Sequence, residues 1–316
     1  MQRAYAAHHR NPQAVEHASS GGVFAALAQH TVVCGGAVYG AAMQDGDVRC
    51  LGGTTQEQLR RLCGSKYVFV PVAPVLDEIA ARIAANQPVL VVTSPCQAAA
   101  VRQCCGDSPL LTVVDFVCHG APEPAFLHKY LEECSAAQGS AVDWVNFRKK
   151  MPGRSWEQYQ TELHYADGGV QATWAADNPY MRLFLSNASL RRACGQCVWK
   201  GEHRASDLTL GDFWGIAKVQ PSGYHKEGTS LVLVNTPHGE QLWTAVQDQL
   251  VCEEVNREEA LRYNASASEP AKLHSQYDLF RKDSETMTVA QLAQRYAKVS
   301  GVQKAKQLAK RLLRRG

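Results

Sequence analysis

Two thiols three positions apart, Cys194 and Cys197, sit in the stretch CGQC, with Arg191, Arg192 and Lys200 around them. A C-x-x-C pair on a tight turn presents two thiolates to one metal centre, either a zinc ion or an iron–sulfur cluster. One pair is half of a four-thiolate site, so two more thiols must come from elsewhere. Cys96 follows the apolar run Pro88–Val92 and Cys118 follows the run Leu111–Val117, with helical composition between the two runs. Strand, helix, strand implies parallel neighbours joined by a right-handed crossover, which puts both strand ends on one sheet edge. Ligands bind at that edge in open α/β sheets. Cys96 and Cys118 are therefore the expected partners of Cys194 and Cys197. Structural zinc usually takes two close pairs. One pair with two single thiols fits that habit poorly, but zinc stays open at this point.

The elements that must position these thiols come from a chain of 316 residues, 45% hydrophobic and 20% charged. That is an ordinary globular balance, with length for about two domains. A net charge of +3 gives no argument for nucleic acid. The start, MQRAYAAHHRNPQ, has no apolar core of a secretory signal, and no apolar run reaches bilayer length. The expected compartment is the cytoplasm. Eleven cysteines in a reducing compartment point to metal ligation or catalysis rather than disulfides. Cys34, Cys50, Cys104, Cys105, Cys134 and Cys252 read as plain core thiols.

Two further stretches carry chemistry. In HASSGGVFAALAQ, Ser20, Gly21 and Gly22 feed a helix N-terminus, where free backbone N–H groups favour an anion. In CGSKYVFV, Gly64, Ser65, Lys66 and Tyr67 form a turn with a cation and a ring, entering an expected strand Val68–Val70. No G-x-x-x-x-G-K-[ST] and no strand-borne G-x-G-x-x-G is present, which argues against an ordinary nucleotide hydrolase or NAD-binding unit.

Gly35–Ala42 and Val48–Gly52 read as a hairpin, and Val142–Phe147 as a strand followed by a basic turn, Arg148–Arg154. Glu157–Tyr165 and VQATW form a second hairpin, and Asn178–Leu190 is a helix that delivers the C-x-x-C pair. After about Pro237 the chain reads as helical. It closes in a basic amphipathic stretch, Tyr296–Gly316, better explained as a solvated tail than as a membrane-surface contact.

The set SSGGVFAAL, CGSKYV, SPCQ, DFVCHG, VNFRKK and CGQC…RASDLTLGDFWGI resembles the coenzyme F420 hydrogenase/dehydrogenase beta-subunit family, from about Tyr5 to about Trp243. The resemblance implies a mixed, largely parallel α/β sheet with flanking helices, an added antiparallel hairpin region and a helical C-terminal tail. It implies a [4Fe-4S] cluster on Cys96, Cys118, Cys194 and Cys197, and FAD lined by Ser20–Gly22 and Gly64–Tyr67. His119 and Lys66 become the catalytic candidates, with Asp212 adjacent to the site. Residues 1–77 and 78–245 become the N-terminal, flavin-lining region and the C-terminal, cysteine-bearing region of the family, and 246–316 a helical basic tail. The chain starts at the flavin portion, without the ferredoxin-like module of many bacterial members, so the expected electron donor is a ferredoxin or ferredoxin-like subunit. The expected activity is electron transfer between cluster and FAD, to or from a small organic substrate or an F420-like deazaflavin. A non-catalytic relay subunit and a zinc-stabilised binding protein are the alternatives.

Overall fold

Arg3–His9 (β1) turns its side chains alternately into two cores, Tyr5 and Ala7 on one face and Ala4 and Ala6 on the other. This computed structural model describes residues 3–202 and 204–298. Ala37–Gln44 (β2) and Asp47–Gly53 (β3) form the expected hairpin, turning over Asp45 and Gly46, both in the left-handed region. Val89–Thr93 (β4) and Leu111–Phe116 (β5) are parallel. Val89, Val91 and Val113 point into one core and Leu90 and Val114 into another, which is why these strands read as continuous apolar runs.

Val142–Lys150 (β6), Tyr159–Tyr165 (β7) and Val170–Trp174 (β8) make a separate antiparallel sheet in the order β6-β7-β8. Leu208–Asp212 (β9), Ser230–Val234 (β10) and Leu250–Val255 (β11) return to the main sheet, whose order is β11-β1-β10-β9-β5-β4-β2-β3. β2, β4, β5 and β9 are its parallel centre, and antiparallel strands flank them on both sides. The architecture is thus the mixed α/β one expected, with its added antiparallel hairpin region.

Helices cover both faces. Pro12–His17 (α1) precedes Val23–Val33 (α2), and α2 joins Gln56–Leu62 (α3) and Pro237–Val246 over one face through Leu27, Leu59 and Trp243. Leu76–Ala84 (α4) and Pro95–Cys105 (α5) pack Ile79, Ala98 and Val101 on the other. Pro124–Gln138 (α6) and Pro179–Leu185 (α7) close a further core against the small sheet, with helices Tyr277–Asp283 and Val289–Tyr296.

Several expectations are corrected. β1 and β11 were not expected as strands; β11 lies in the segment read as helical and pairs with β1. Val68–Val70 is irregular and not a strand, held by Phe69 N–H to Pro122 O at 2.9 Å. Arg148–Lys150 ends β6 and is not part of a turn. The helix expected over Asn178–Leu190 stops at Leu185, because Asn187 turns left-handed at φ 64°. The basic stretch beyond residue 298 lies outside the described residues. Among the described residues no helix is long and apolar enough to cross a membrane.

Candidate functional site

The parallel register β4–β5–β9 aligns Thr93 with Asp115 and Asp115 with Thr209, so three strands end on one edge. Cys96 lies in the first turn of α5, just past β4, where Ser94 is the N-cap and Pro95 takes N1. Cys118 follows β5. The C-x-x-C pair rides a 3₁₀ turn, Arg192–Gln196, and that turn is stitched to the chain after Cys118. Arg191 N–H donates to Ala121 O at 2.9 Å, Pro122 bridges Leu190, and Cys194 Sγ lies 4.0 Å from Ala121 O. Gly120, at φ +135°, lets the two loops touch: a Cβ there would meet Leu190 Cδ1 at 2.8 Å and Cys194 Cβ at 3.4 Å.

The four thiols feel one another. Burial pushes the Cys118 thiol up to about 12; Cys194 and Cys96 push the same way and Lys200 opposes them. Burial also raises Cys194, with Cys96 and Cys197 adding to the rise and Arg191 working against it. The structure therefore brings Cys96, Cys118, Cys194 and Cys197 into one electrostatic neighbourhood. It does not close them on a point: among the described residues no group of three or more His, Cys, Asp or Glu could hold a single metal ion. Lys200 is buried beside Cys118 and donates only to Glu269 O, at 2.9 Å; no described carboxylate lies within ion-pair distance.

The two glycine-bearing turns also meet. Ser65 N–H donates to Ser19 Oγ at 2.7 Å, joining the Ser20–Gly22 loop to the Gly64–Tyr67 turn. Ser20 Oγ donates to Thr229 O at 2.9 Å and Gly21 N–H to Ser230 Oγ at 2.9 Å, which seats the loop on the start of β10. Gly22 precedes α2 in a left-handed conformation, φ 86°, with no side-chain cap on the helix N–H groups. At Gly21 a Cβ would lie 2.4 Å from Ala7 O and 2.8 Å from Ser230 N, both backbone atoms. Gly21→Ala is expected to cost about 1–3 kcal/mol, the usual penalty of overpacking. Urea unfolding reads it directly, and a variant as stable as its parent would show that the loop has room.

A chain of rings runs from one half of this region to the other. Tyr67 packs on Phe184 with centroids 4.8 Å apart, and Phe184 packs edge-on to His119 at 5.0 Å. His119 directly follows Cys118. Burial pushes its imidazole below the ordinary value, and Nε2 is buried with no hydrogen-bond partner. Lys66 is placed otherwise than expected for a cation facing a ligand. Its Nζ donates to Arg61 O, Leu62 O and Cys63 O at 2.9, 3.1 and 2.6 Å, capping the C-terminus of α3. Burial pulls its ammonium down to about 8.

Sequence reasoning missed the cations on β6. Arg148 and Lys150 lie two apart at the end of β6, where the ladder to β7 shifts register between Asn146 and Lys149. Arg148 is buried, pairs through Nη1 with Asp212 at the end of β9, and stacks over Tyr159 and Trp156 at 4.7 and 5.6 Å from the ring centroids. Its Nε and Nη2 have no hydrogen-bond partner. Lys150 Nζ donates to Val15 O and Ser20 O, each at 2.6 Å, and so touches the Ser20–Gly22 loop. The run R-K-K carried the information, but two-residue periodicity at a strand's last turn is indistinguishable from a basic loop in sequence.

Comparison with known proteins supplies a family and a fold. Residues 86–260 match the family model for the C-terminal part of the coenzyme F420 hydrogenase/dehydrogenase beta subunit. No curated protein matches the chain. A chain of the F420-reducing [NiFe] hydrogenase complex from Methanosarcina barkeri superposes with a TM-score of 0.53 at 17% identity, covering 92% of this chain and 89% of that one. At that identity the likeness concerns the fold. The family model takes in more than half of the chain and all four of the clustered cysteines, and so the chain belongs to the coenzyme F420 hydrogenase/dehydrogenase beta-subunit family.

Proposed function

We propose that this chain is an iron–sulfur flavoprotein oxidoreductase. Cys96, Cys118, Cys194 and Cys197 would hold a [4Fe-4S] cluster, and Ser20–Gly22 with Gly64–Tyr67 would line FAD. In this reading residues 1–77 bring the flavin turns, 78–245 the thiols, and 246–316 a flanking segment. Electrons would pass between a ferredoxin or ferredoxin-like subunit and a small organic substrate or deazaflavin. The observation that carries the reading is the coupling of the C-x-x-C pair with two thiols from separate strand ends, Cys96 past β4 and Cys118 past β5.

The residues present fit both groups. A four-iron cube takes each of four thiolates at a separate corner, and these four thiols supply that donor set without needing to converge on one ion. A buried lysine without a carboxylate is costly. The net negative charge of a thiolate-ligated cluster would supply the counter-charge that Lys200 lacks. For the flavin, the orphaned Nε and Nη2 of Arg148 mark a cation without a full set of partners. When bound together, the two groups exchange single electrons for pairs. The protein's part is to hold Cys118 and Tyr67 at the two ends of the Phe184–His119 ring contact and to exclude water there.

A second reading, a relay subunit of a larger complex, is favoured by one observation. Val198 and Trp199, directly after the C-x-x-C pair, are exposed large apolar residues. Turnover of a substrate by the isolated chain would exclude it.

The test is metal and flavin analysis of anaerobically purified, reconstituted protein. Four irons and four sulfides per chain, with one FAD, are expected. Zinc in place of iron, or a colourless preparation after reconstitution, would refute the reading.

A further inference from the structure

Arg148 is the largest electrostatic anomaly near the glycine turns. Its side chain is 5% exposed; Nη1 pairs with Asp212, Tyr67 lies close beside the guanidinium, and Nε and Nη2 make no hydrogen bond. The free edge is Nε–Nη2, the side of a guanidinium that grips a planar anion with two parallel N–H donors. Lys150, two residues on, adds a second cation at the Ser20–Gly22 loop. Asp212, Tyr67 and Tyr159 are the groups whose charges act on Arg148, and Asp212 is the carboxylate paired with it. Asp212, Glu227 and Glu16 also act on Lys150, each favouring its charged form.

We propose that Arg148 and Lys150 form a cationic wall that binds the negatively charged, reduced flavin ring more tightly than the neutral, oxidised ring. The proposal rests on the flavoprotein reading above. It moves to β6 the part that the sequence suggested for Lys66, whose three donors are spent on α3. Reduction of a flavin by two electrons from a ferredoxin-type donor, with one proton from solvent, leaves one negative charge on the pyrimidine side of the ring. In a desolvated site the charges of Arg148 and Lys150 act on that side with little screening, and they need not move when the charge appears. Asp212 holds Nη1 and so aims the guanidinium while leaving its other edge free. Lys150 feels the positive charge of Arg148 directly. Burial, and then the charge of Arg148, bring its ammonium down to about 7, and an anion alongside would restore it.

The experiment is a dye-equilibrated redox titration of FAD bound to the full chain, in the parent protein and in Arg148→Met, Arg148→Lys and Lys150→Met. A charged hydrogen bond that forms only with the reduced ring changes the ratio of reduced to oxidised affinity by about tenfold, and for a two-electron couple that is a shift of about 30 mV. Each methionine variant is expected to keep oxidised FAD and to show a midpoint lower by about that amount, with Arg148→Lys recovering part of the fall. Unchanged midpoints in both methionine variants with FAD bound would overturn the proposal while leaving the flavoprotein reading intact. Failure of the parent protein to bind FAD would overturn that reading instead, and the proposal with it. Should Arg148→Met unfold because Asp212 loses its partner, Lys150→Met decides alone, since Lys150 contributes hydrogen bonds to two carbonyls and no ion pair among the described residues.

Discussion

Cys118→Ala is expected to leave a folded protein that no longer retains iron. Cys118 follows the central strand β5, and its loop is the one to which the Cys194 turn is stitched through Ala121, Pro122 and Gly120. Alanine there removes a buried sulfur at the cost of a small cavity, while the backbone contacts persist. Losing a supporting group outside a metal's own ligands typically costs about 10–100-fold in affinity, and loss of a ligand itself costs more. Iron and sulfide per chain after anaerobic reconstitution, together with visible absorbance, measure the effect. Cys194→Ala should behave alike. Cys34→Ala, at an exposed position at the end of α2, should retain full iron. Full iron in both Cys118→Ala and Cys194→Ala would show that these sulfurs are not ligands.

Arg204→Met is expected to be the most destabilising single change near the site, by about 3–5 kcal/mol. Arg204 Nη1 lies 2.8 Å from Asp115 Oδ2, and the two side chains are 1% and 0% exposed. Arg204 also donates to Ala267 O at 2.7 Å, so it pins the chain beyond the C-x-x-C pair both to β5 and to the segment behind it. Burial raises the Asp115 carboxyl and Arg204 draws it back down. Without the guanidinium, the carboxylate must either stay buried and unpaired or take up a proton at a cost in free energy. Urea denaturation of the apo chain tests this, and Asp115→Leu combined with Arg204→Met should recover most of the loss, because a matched apolar pair asks for no counter-charge. A single variant within about 0.5 kcal/mol of the parent, the range of ordinary surface changes, would contradict this account.

The Arg204–Asp115 pair illustrates a limit of reading a sequence. Asp115 is an acidic residue inside an apolar run, and nothing local identifies a partner 89 positions away. The β4 and β5 strands were legible because both of their faces are buried, which leaves a continuous run of valine and leucine. Ala4, Ala6 and Ala7 in β1 carry no such mark. Alanine has little strand preference of its own, and β1 exists because β10 and β11 pair on either side of it. β11, reading LVCEEV, is likewise set by pairing: its Glu254 meets Arg3 across the ladder.

From the amino-acid order alone came the family, the alternation of strands and helices at the centre, and the expectation that four particular thiols meet. The family came from the resemblance of its motifs, and the alternation of elements with the meeting of strand-end thiols from local composition and the handedness of strand–helix–strand connections. Tertiary structure alone decided which charges face inward. Lys66, conspicuous in its motif, turned its ammonium onto helix carbonyls, while Arg148 and Lys150, hidden in a basic run, came to stand beside the glycine loop. The direction of a long charged side chain follows from which carbonyls and carboxylates folding leaves within reach, and those lie far away along the chain.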